Sequence, residues 1–171
     1  MERNKSKTFR ILFVCTGNSC RSPMAEGLLI HKIPEELKDY VIIRSAGTLG
    51  LVGNRATPFA ITAAGNLGAN ISNHRSSGIS EQNFHNYDLI FALDHSHKAI
   101  LLENFPEAGN RIFLLKEYGL KKKFLTRLSI ADPIGGSLPV YEKTAQEINA
   151  ELDRILPDLI DLIKQKLTNN N

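Results

Sequence analysis

Two cysteines are all that this 171-residue chain contains, and both fall in one short stretch, FVCTGNSCRSP, at residues 13–23. So few exclude a disulfide framework, and the lack of a second Cys pair or a helical His pair argues against a four-ligand zinc site. Long apolar runs are missing too, since nothing approaches the roughly 20 residues that a membrane span needs. Basic residues precede Phe9–Val14, but that run is too short for a secretory signal and no small-residue cleavage site follows it. Charge of neither sign dominates. A net charge of +3 suits anionic ligands and falls far short of the Lys/Arg stripe of a nucleic-acid binder. The one basic run, Lys121–Lys123, reads as a solvated loop face. There is no repeat at periods of roughly 20 to 50 residues, and neither a G-x-G-x-x-G nor a P-loop lysine supports a nucleotide-binding protein. What remains is a single globular domain over residues 1–171, with 1–7 and 168–171 as tails. Its expected setting is the cytoplasm, where both thiols stay reduced.

Short β-branched runs alternate with stretches of helical period, the pattern of a parallel sheet covered by helices. Thr8–Cys15, Tyr40–Gly47, Asp88–Leu93 and Arg111–Leu115 read as the four strands. Ser22 as cap with Pro23 at the first helical position predicts a helix after the first loop, and Thr57 with Pro58 repeats the signature. Ser80 and Glu81 open a short helix, and His95–Phe105 forms another. From Val140 to Leu167, Ile148, Leu152, Ile155, Leu159, Ile163 and Leu167 recur at steps of three and four, predicting a long amphipathic helix that Pro157 should bend or interrupt. Before it lies an irregular segment, residues 116–139. Loops of that length in compact domains tend to be functional.

The cysteine spacing C-x4-C does not fit the C-x-x-C of a thioredoxin-type couple. Counting from Cys15 to Arg21 instead gives C-x5-R, at the end of a strand and before a helix. In an open α/β sheet ligands bind beyond such strand ends. A five-residue loop there can turn successive N–H groups toward one centre and hold a tetrahedral oxyanion, with the helix dipole aimed at the same point. Gly17 should permit the tight path. Arg21 offers a two-pronged donor to phosphate oxygens. The same groups should lower the Cys15 pKa and leave a thiolate. A composition-driven C-x5-R pair, or cysteines acting as buried filler, is the alternative, and the strand-end position weighs against it.

Thiolate attack on a phosphoester expels an oxyanion that needs a proton. Asp132, followed by Pro133 in ADPIGG, supplies a carboxylic acid within the long irregular segment.

VCTGNSCRSPMAE, SAG and DPIGGS, in this order and spacing, closely resemble the low-molecular-weight protein tyrosine phosphatases from about Phe9 to the final helix. The resemblance implies a four-stranded parallel sheet with helices on both faces and a phosphate-binding loop after the first strand. It implies Cys15 as a nucleophile forming a phosphocysteine, Arg21 as the phosphate clamp, and Asp132 as acid and then base. Thr16, Gly17, Asn18, Ser19, Cys20 and Ser22 would cradle the phosphoryl group, with Asn18 holding the loop's shape and Ser22 donating to the sulfur. His74 and Asp94 resemble positions that brace the loop. Cys20 would trap oxidised Cys15 as a reversible disulfide. No metal or cofactor is implied; the partners are a phosphorylated protein and inorganic phosphate or another oxyanion, with neither nucleic acid nor membrane. Phosphotyrosine members carry a bulky aliphatic residue at the position of Ser19 and an aromatic near that of Ile134. The protein-arginine phosphatases, a bacterial branch, are similar in their small loop hydroxyl and Gly-Gly pair, so phosphoarginine is the alternative substrate. Arsenate reductases share the loop but need further cysteines, which are missing here. A phosphopeptide-binding module without turnover would lack the cysteine or the aspartate, and both are present.

Overall fold

Alternate residues of the first strand serve two different cores. In β1 (Phe9–Cys15), Phe9, Ile11, Phe13 and Cys15 join one apolar cluster, while Leu12 and Val14 join another on the opposite face. A strand buried on both sides needs parallel neighbours with helices over them. β1 pairs in parallel with β2 (Val41–Gly47) and with β3 (Leu89–Ala92), and β3 pairs with β4 (Ile112–Leu114). The order is β2-β1-β3-β4. This computed structural model describes residues 8–121 and 127–169. Lys122, Lys123 and the two expected tails lie outside that range, except Thr168 and Asn169, and Thr168 ends the last helix.

Helices α1 (Arg21–Lys32), α2 (Pro58–Asn66) and α4 (Leu138–Thr168) cover one face, supplying Met24 and Leu28, Ala60 and Ala64, and the Ile148–Ile163 stripe. α3 (His95–Asn104) covers the other through Leu101. The expected four-stranded parallel sheet with helices on both faces is the architecture found. Among the described residues no helix is long and apolar enough to cross a membrane.

Two local expectations are corrected. Pro157 does not interrupt α4, which runs unbroken across it. An interior proline costs about 3 kcal/mol, whereas each fully buried Ile or Leu contributes about 1.5–3 kcal/mol. With Ile148, Leu152, Ile155, Leu159 and Ile163 all at or below 1 % exposure, the stripe outweighs the break. Ser22 is not a helix cap: α1 begins at Arg21, the cap position falls on Cys20 without a side-chain bond, and Pro23 is the third helical residue. Thr57 does cap α2, accepting from the Ala60 amide.

The chain leaves β1 for β2 on one side and later returns to β3 on the other, so the order reverses at β1. That is where a crevice opens beyond the strand ends. Cys15 is the last residue of β1 and stands beside Gly47 in the register.

Candidate active site

The loop from Thr16 to Cys20 is pinned from behind at nearly every residue. Asn18 takes a left-handed conformation, φ 52°, which asparagine tolerates better than most residues. Gly17 shows no such conformation, and a Cβ there would meet only Ser19 Oγ at 3.5 Å, so it is Asn18 that makes the turn the sequence assigned to Gly17. The Asn18 side chain accepts from the Ser77 amide at 2.9 Å and donates to Ser22 Oγ at 2.8 Å and Ser45 Oγ at 2.9 Å. His74 Nε2–H donates to the Asn18 carbonyl at 2.8 Å. The Thr57 amide holds the Ser19 carbonyl at 2.9 Å. Beneath the loop there is no room: a Cβ on Gly47 would lie 2.7 Å from the Thr16 carbonyl and 3.1 Å from Asn18. The glycine of SAG is therefore a packing requirement of the loop.

Cys15, Thr16, Gly17, Ser19, Cys20, Arg21, Leu49, Asp132 and Ile134 line a cleft of about 190 Å³. Cys15 lies at its base, 3 % exposed, while Leu49 and Ile134 form its outer wall at 64 % and 60 %. Of the sequence-selected residues, Asn18 and Ser22 do not line the cleft; both are fully buried behind it. Leu49 lines it and was not selected, for it stands 34 positions beyond Cys15 in the chain and nothing marks it locally.

Arg21 crosses the cleft with a nearly complete set of partners. One Nη1 contacts Asp94 Oδ2 and the Ile130 carbonyl, both at 2.9 Å; Nη2 reaches Asp132 Oδ2 at 2.8 Å and Thr16 Oγ1 at 3.5 Å. Its Nε is buried and, among the described residues, has no hydrogen-bond partner. Asp132 is held in turn by the Ile134 amide on Oδ1 at 3.1 Å. Burial pushes Asp94 up, but the Ser96 hydroxyl, the His97 amide and ring and Arg21 outweigh it, leaving Asp94 below the usual carboxylate range.

Burial is also the largest influence on Cys15, and it pushes the thiol up from its ordinary value. The Ser22 hydroxyl and amide, the Arg21 charge and the Asn18 amide pull it down. The depressed value expected from the sequence is not what this arrangement gives, because burial outweighs the groups that pull the thiol down. The hydrogen-bond directions nevertheless favour the sulfur as acceptor. Asn18 spends both side-chain hydrogens on Ser22 and Ser45, and Ser45 donates onward to Glu26. With a lone pair of Ser22 occupied by Asn18, its hydrogen is free to point at Cys15 Sγ, 2.9 Å away. Burial raises Glu26 against the pull of Ser45, His74 and Arg44.

Cys20 faces the same cleft, with its sulfur near Tyr141 Oη at 3.5 Å and Thr57 Oγ1 at 3.6 Å. Both cysteines are free thiols. His97, which no local motif singles out, is 1 % exposed with Nε2 at 2.8 Å from Thr16 Oγ1.

Residues 10–169 match the model of the low molecular weight phosphotyrosine protein phosphatases. A protein-arginine-phosphatase of Bacillus subtilis is 37 % identical over 149 residues, covering 87 % of this chain and 95 % of that protein. The solved low molecular weight protein tyrosine phosphatase of T. tengcongensis superimposes with a TM-score of 0.77 at 37 % identity, over 88 % of this chain and 99 % of its own. A structure of the arginine phosphatase YwlE, a C-to-S mutant with a phosphorylated active-site serine, gives a TM-score of 0.77 at 35 % identity over 88 % and 95 % of the two chains. A family match across nearly the whole chain, joined to a parallel sheet that carries this loop at its strand-order reversal, makes the protein a phosphatase that belongs to the low molecular weight protein tyrosine phosphatase family.

Proposed function

We propose that the protein hydrolyses phosphotyrosine in protein substrates through a phosphocysteine formed on Cys15. The observation that carries this reading is the convergence of Cys15, Arg21 and Asp132 on one narrow cleft, from the end of β1, the start of α1 and the segment before α4. The phosphoryl group enters between the Leu49 and Ile134 walls, which flank the phenyl ring, and reaches the buried sulfur of Cys15. It takes the Arg21 fork from Asp132, and the unpartnered Nε gives a further donor.

Cys15 gives its proton to solvent and attacks phosphorus as a thiolate, stabilised by the Ser22 hydroxyl and the Asn18 and Ser22 amides. As the S–P bond forms, the P–O ester bond breaks and the acid form of Asp132 gives its proton to the leaving oxygen. Asp132 then takes a proton from water, whose oxygen attacks phosphorus; the S–P bond breaks and inorganic phosphate departs. The loop amides, Gly17 and Ser19 among them, cradle the equatorial oxygens, and Thr16 and Cys20 complete the wall. The phosphorylated serine in the YwlE mutant supports a phospho-enzyme step. A chemistry that needs a reduced thiol fits work in the cytoplasm.

Phosphoarginine is the second reading, favoured by one observation: among the described residues no aromatic side chain lines the cleft. Asp132 at the rim could pair with the substrate guanidinium, and the Bacillus relative is named for that activity.

The decisive experiment uses an aryl phosphate and matched phosphotyrosine and phosphoarginine peptides in single turnover. Cys15→Ser should reduce hydrolysis by at least about three orders of magnitude while inorganic phosphate still binds. Acid quenching of Asp132→Asn during turnover should place phosphorus on Cys15. Phosphorus found elsewhere, or an active Cys15→Ser protein, overturns the mechanism, and a phosphoarginine peptide consumed faster than its phosphotyrosine counterpart installs the second substrate.

A further inference from the structure

Four residues from two short segments of the chain, 16–21 and 94–97, close a ring beneath the rim of the cleft. Arg21 Nη1 donates to Asp94 Oδ2 at 2.9 Å, and Arg21 Nη2 reaches Thr16 Oγ1 at 3.5 Å. Thr16 Oγ1 lies 2.8 Å from His97 Nε2. The His97 amide donates to Asp94 Oδ1 at 3.1 Å, and its Nδ1 stands 3.4 Å from the same oxygen. We propose that His97 is a positioning residue for the phosphatase reaction: it fixes the Thr16 hydroxyl as an acceptor for Arg21 and so sets the angle at which the guanidinium meets the phosphoryl group. This rests on the reading of Arg21 as the phosphate clamp.

The argument is one of hydrogen counting. A neutral imidazole has one N–H and one lone pair. Nδ1 faces a carboxylate oxygen, and a lone pair there would repel it, so the proton belongs on Nδ1. Nε2 is then an acceptor, and its partner at 2.8 Å can only be donating, so the Thr16 O–H points at His97. Both Thr16 lone pairs are left for donors, and Arg21 Nη2 is the donor beside them. The reversed tautomer would occupy one lone pair with Nε2–H and turn the hydroxyl hydrogen loose among the Arg21 hydrogens. Burial keeps His97 neutral, with a pKa lowered to about 4 although Asp94 pulls it up, so the ring stays in the form that accepts.

A plain packing role fits poorly. His97 is 1 % exposed in the first turn of α3, where Leu or Phe could fill the space without burying a ring nitrogen that lacks a well-aligned partner. Leaving such an atom unsatisfied costs about 1–3 kcal/mol. The imidazole reaches from α3 to the catalytic loop, on the far side of the sheet from α1. It ties the Arg21 fork to the second core as well as to the first.

The test compares His97→Leu, His97→Gln, Thr16→Val and the His97→Leu/Thr16→Val pair in the full chain. The readings are kcat and KM for an aryl phosphate, inhibition by inorganic phosphate, and urea stability. Loss of one hydrogen bond predicts that His97→Leu lowers kcat/KM about tenfold and weakens phosphate inhibition in parallel. His97→Gln, which keeps an acceptor, should recover to within about threefold. With Thr16→Val already present, His97→Leu should change either constant by less than about twofold, the signature of a shared interaction. A folded His97→Leu with both constants unchanged overturns the proposal, as do losses that simply multiply in the double variant. If His97→Leu fails to fold, the same cycle with His97→Ala, which also removes the acceptor, decides: coupling to Thr16→Val supports the ring and additivity removes it. Arg21→Lys keeps the two readings separate. Should that variant lose phosphate binding while His97 and Thr16 act independently, the clamp stands and the ring falls; should it retain binding, both fall.

Discussion

Arg21 Nη2 donates to Asp132 Oδ2 at 2.8 Å, so the group proposed to clamp phosphate and the group proposed to protonate the leaving oxygen hold each other. Asp132 is 38 % exposed at its side chain and Arg21 only 3 %, which makes the carboxylate the partner that can swing away. Substrate phosphate and Asp132 then compete for the same prong.

That competition separates two effects of removing the carboxylate. Asp132→Ala should lower kcat by about 10²–10³ for poor leaving groups, the usual worth of a positioned acid, with a smaller loss for an activated aryl phosphate. Phosphate, relieved of a competitor, should inhibit the variant at least as strongly as the wild type. Steady-state kinetics across a leaving-group series checks both, and weaker phosphate inhibition would show that Asp132 helps to bind the anion instead.

Gly47 offers a test in packing. Gly47→Ala puts a methyl 2.7 Å from the Thr16 carbonyl and 3.1 Å from the Asn18 amide nitrogen, atoms of a loop that is tied down on several sides. Overpacking of this kind costs about 1–3 kcal/mol, and the loop that moves is the one proposed to hold phosphate, so stability and phosphate inhibition should fall together. Gly65→Ala is the control: nothing lies within 4 Å of the added carbon, the position is inside α2, and the protein should gain about 0.5–1 kcal/mol in urea unfolding.

How much of this was legible beforehand follows the distance over which each interaction acts. The apolar run of β1, the Thr57–Pro58 helix start and the Cys15–Arg21 spacing are local, and each is read within a few residues. A parallel sheet covered by helices follows from the same periodicities, while helices on both faces are implied by the family resemblance and the strand order emerges only in the fold. Ser22 was misread because its neighbour Pro23 makes a good local helix start, while the hydroxyl is drawn inward by Asn18 and Cys15. Partners brought in from far along the chain were harder. Asp94 and Asp132 meet Arg21 across 73 and 111 residues, and Asp132 was found only because thiolate chemistry demands an acid. Nothing comparable demands a histidine, so His97 stayed hidden until its ring was seen against Thr16.

His97 also carries a pH signature of stability. Its folded pKa is about 4, lowered chiefly by burial, against 6.5 when free. Between these values the unfolded chain binds the extra proton, so stability is complete above pH 6.5 and is lost as pH falls toward 4. Urea unfolding at both ends of that window should show a loss of about 1–3 kcal/mol that shrinks in His97→Gln. A loss of equal size in the variant would assign the acid sensitivity to other groups.

Ser22→Ala removes the strongest of the groups that pull the Cys15 thiol down against burial. The pH midpoint for alkylation of Cys15 by iodoacetamide should therefore rise relative to the wild type. The same hydroxyl would stabilise the sulfur as it leaves phosphorus, so breakdown of the phosphocysteine should slow more than its formation. Rapid-quench measurements with an aryl phosphate should reveal a burst of phenol in Ser22→Ala, and an unshifted alkylation midpoint would mean that Ser22 Oγ accepts from the thiol instead of donating to it.

The second cysteine lines the same cleft as the first, and both are buried free thiols. Peroxide converts Cys15 to a sulfenic acid; attack by the Cys20 sulfur would form the S–S bond, release water, and leave a disulfide that an added dithiol returns to two thiols. Without Cys20 the sulfenic acid is open to further oxidation, which no thiol reverses. Cys20→Ser should therefore keep most of its turnover, since the Cys20 side chain contacts Ser19, Thr57 and Tyr141 and the substitution leaves the loop backbone in place, and should regain much less activity than the wild type when a dithiol follows peroxide. Mass analysis of the wild type after peroxide should find the Cys15–Cys20 bridge. Equal recovery in the two proteins, or sulfinic acid on Cys15 of the wild type with no bridge, would leave Cys20 as a wall residue held by Tyr141 and Thr57.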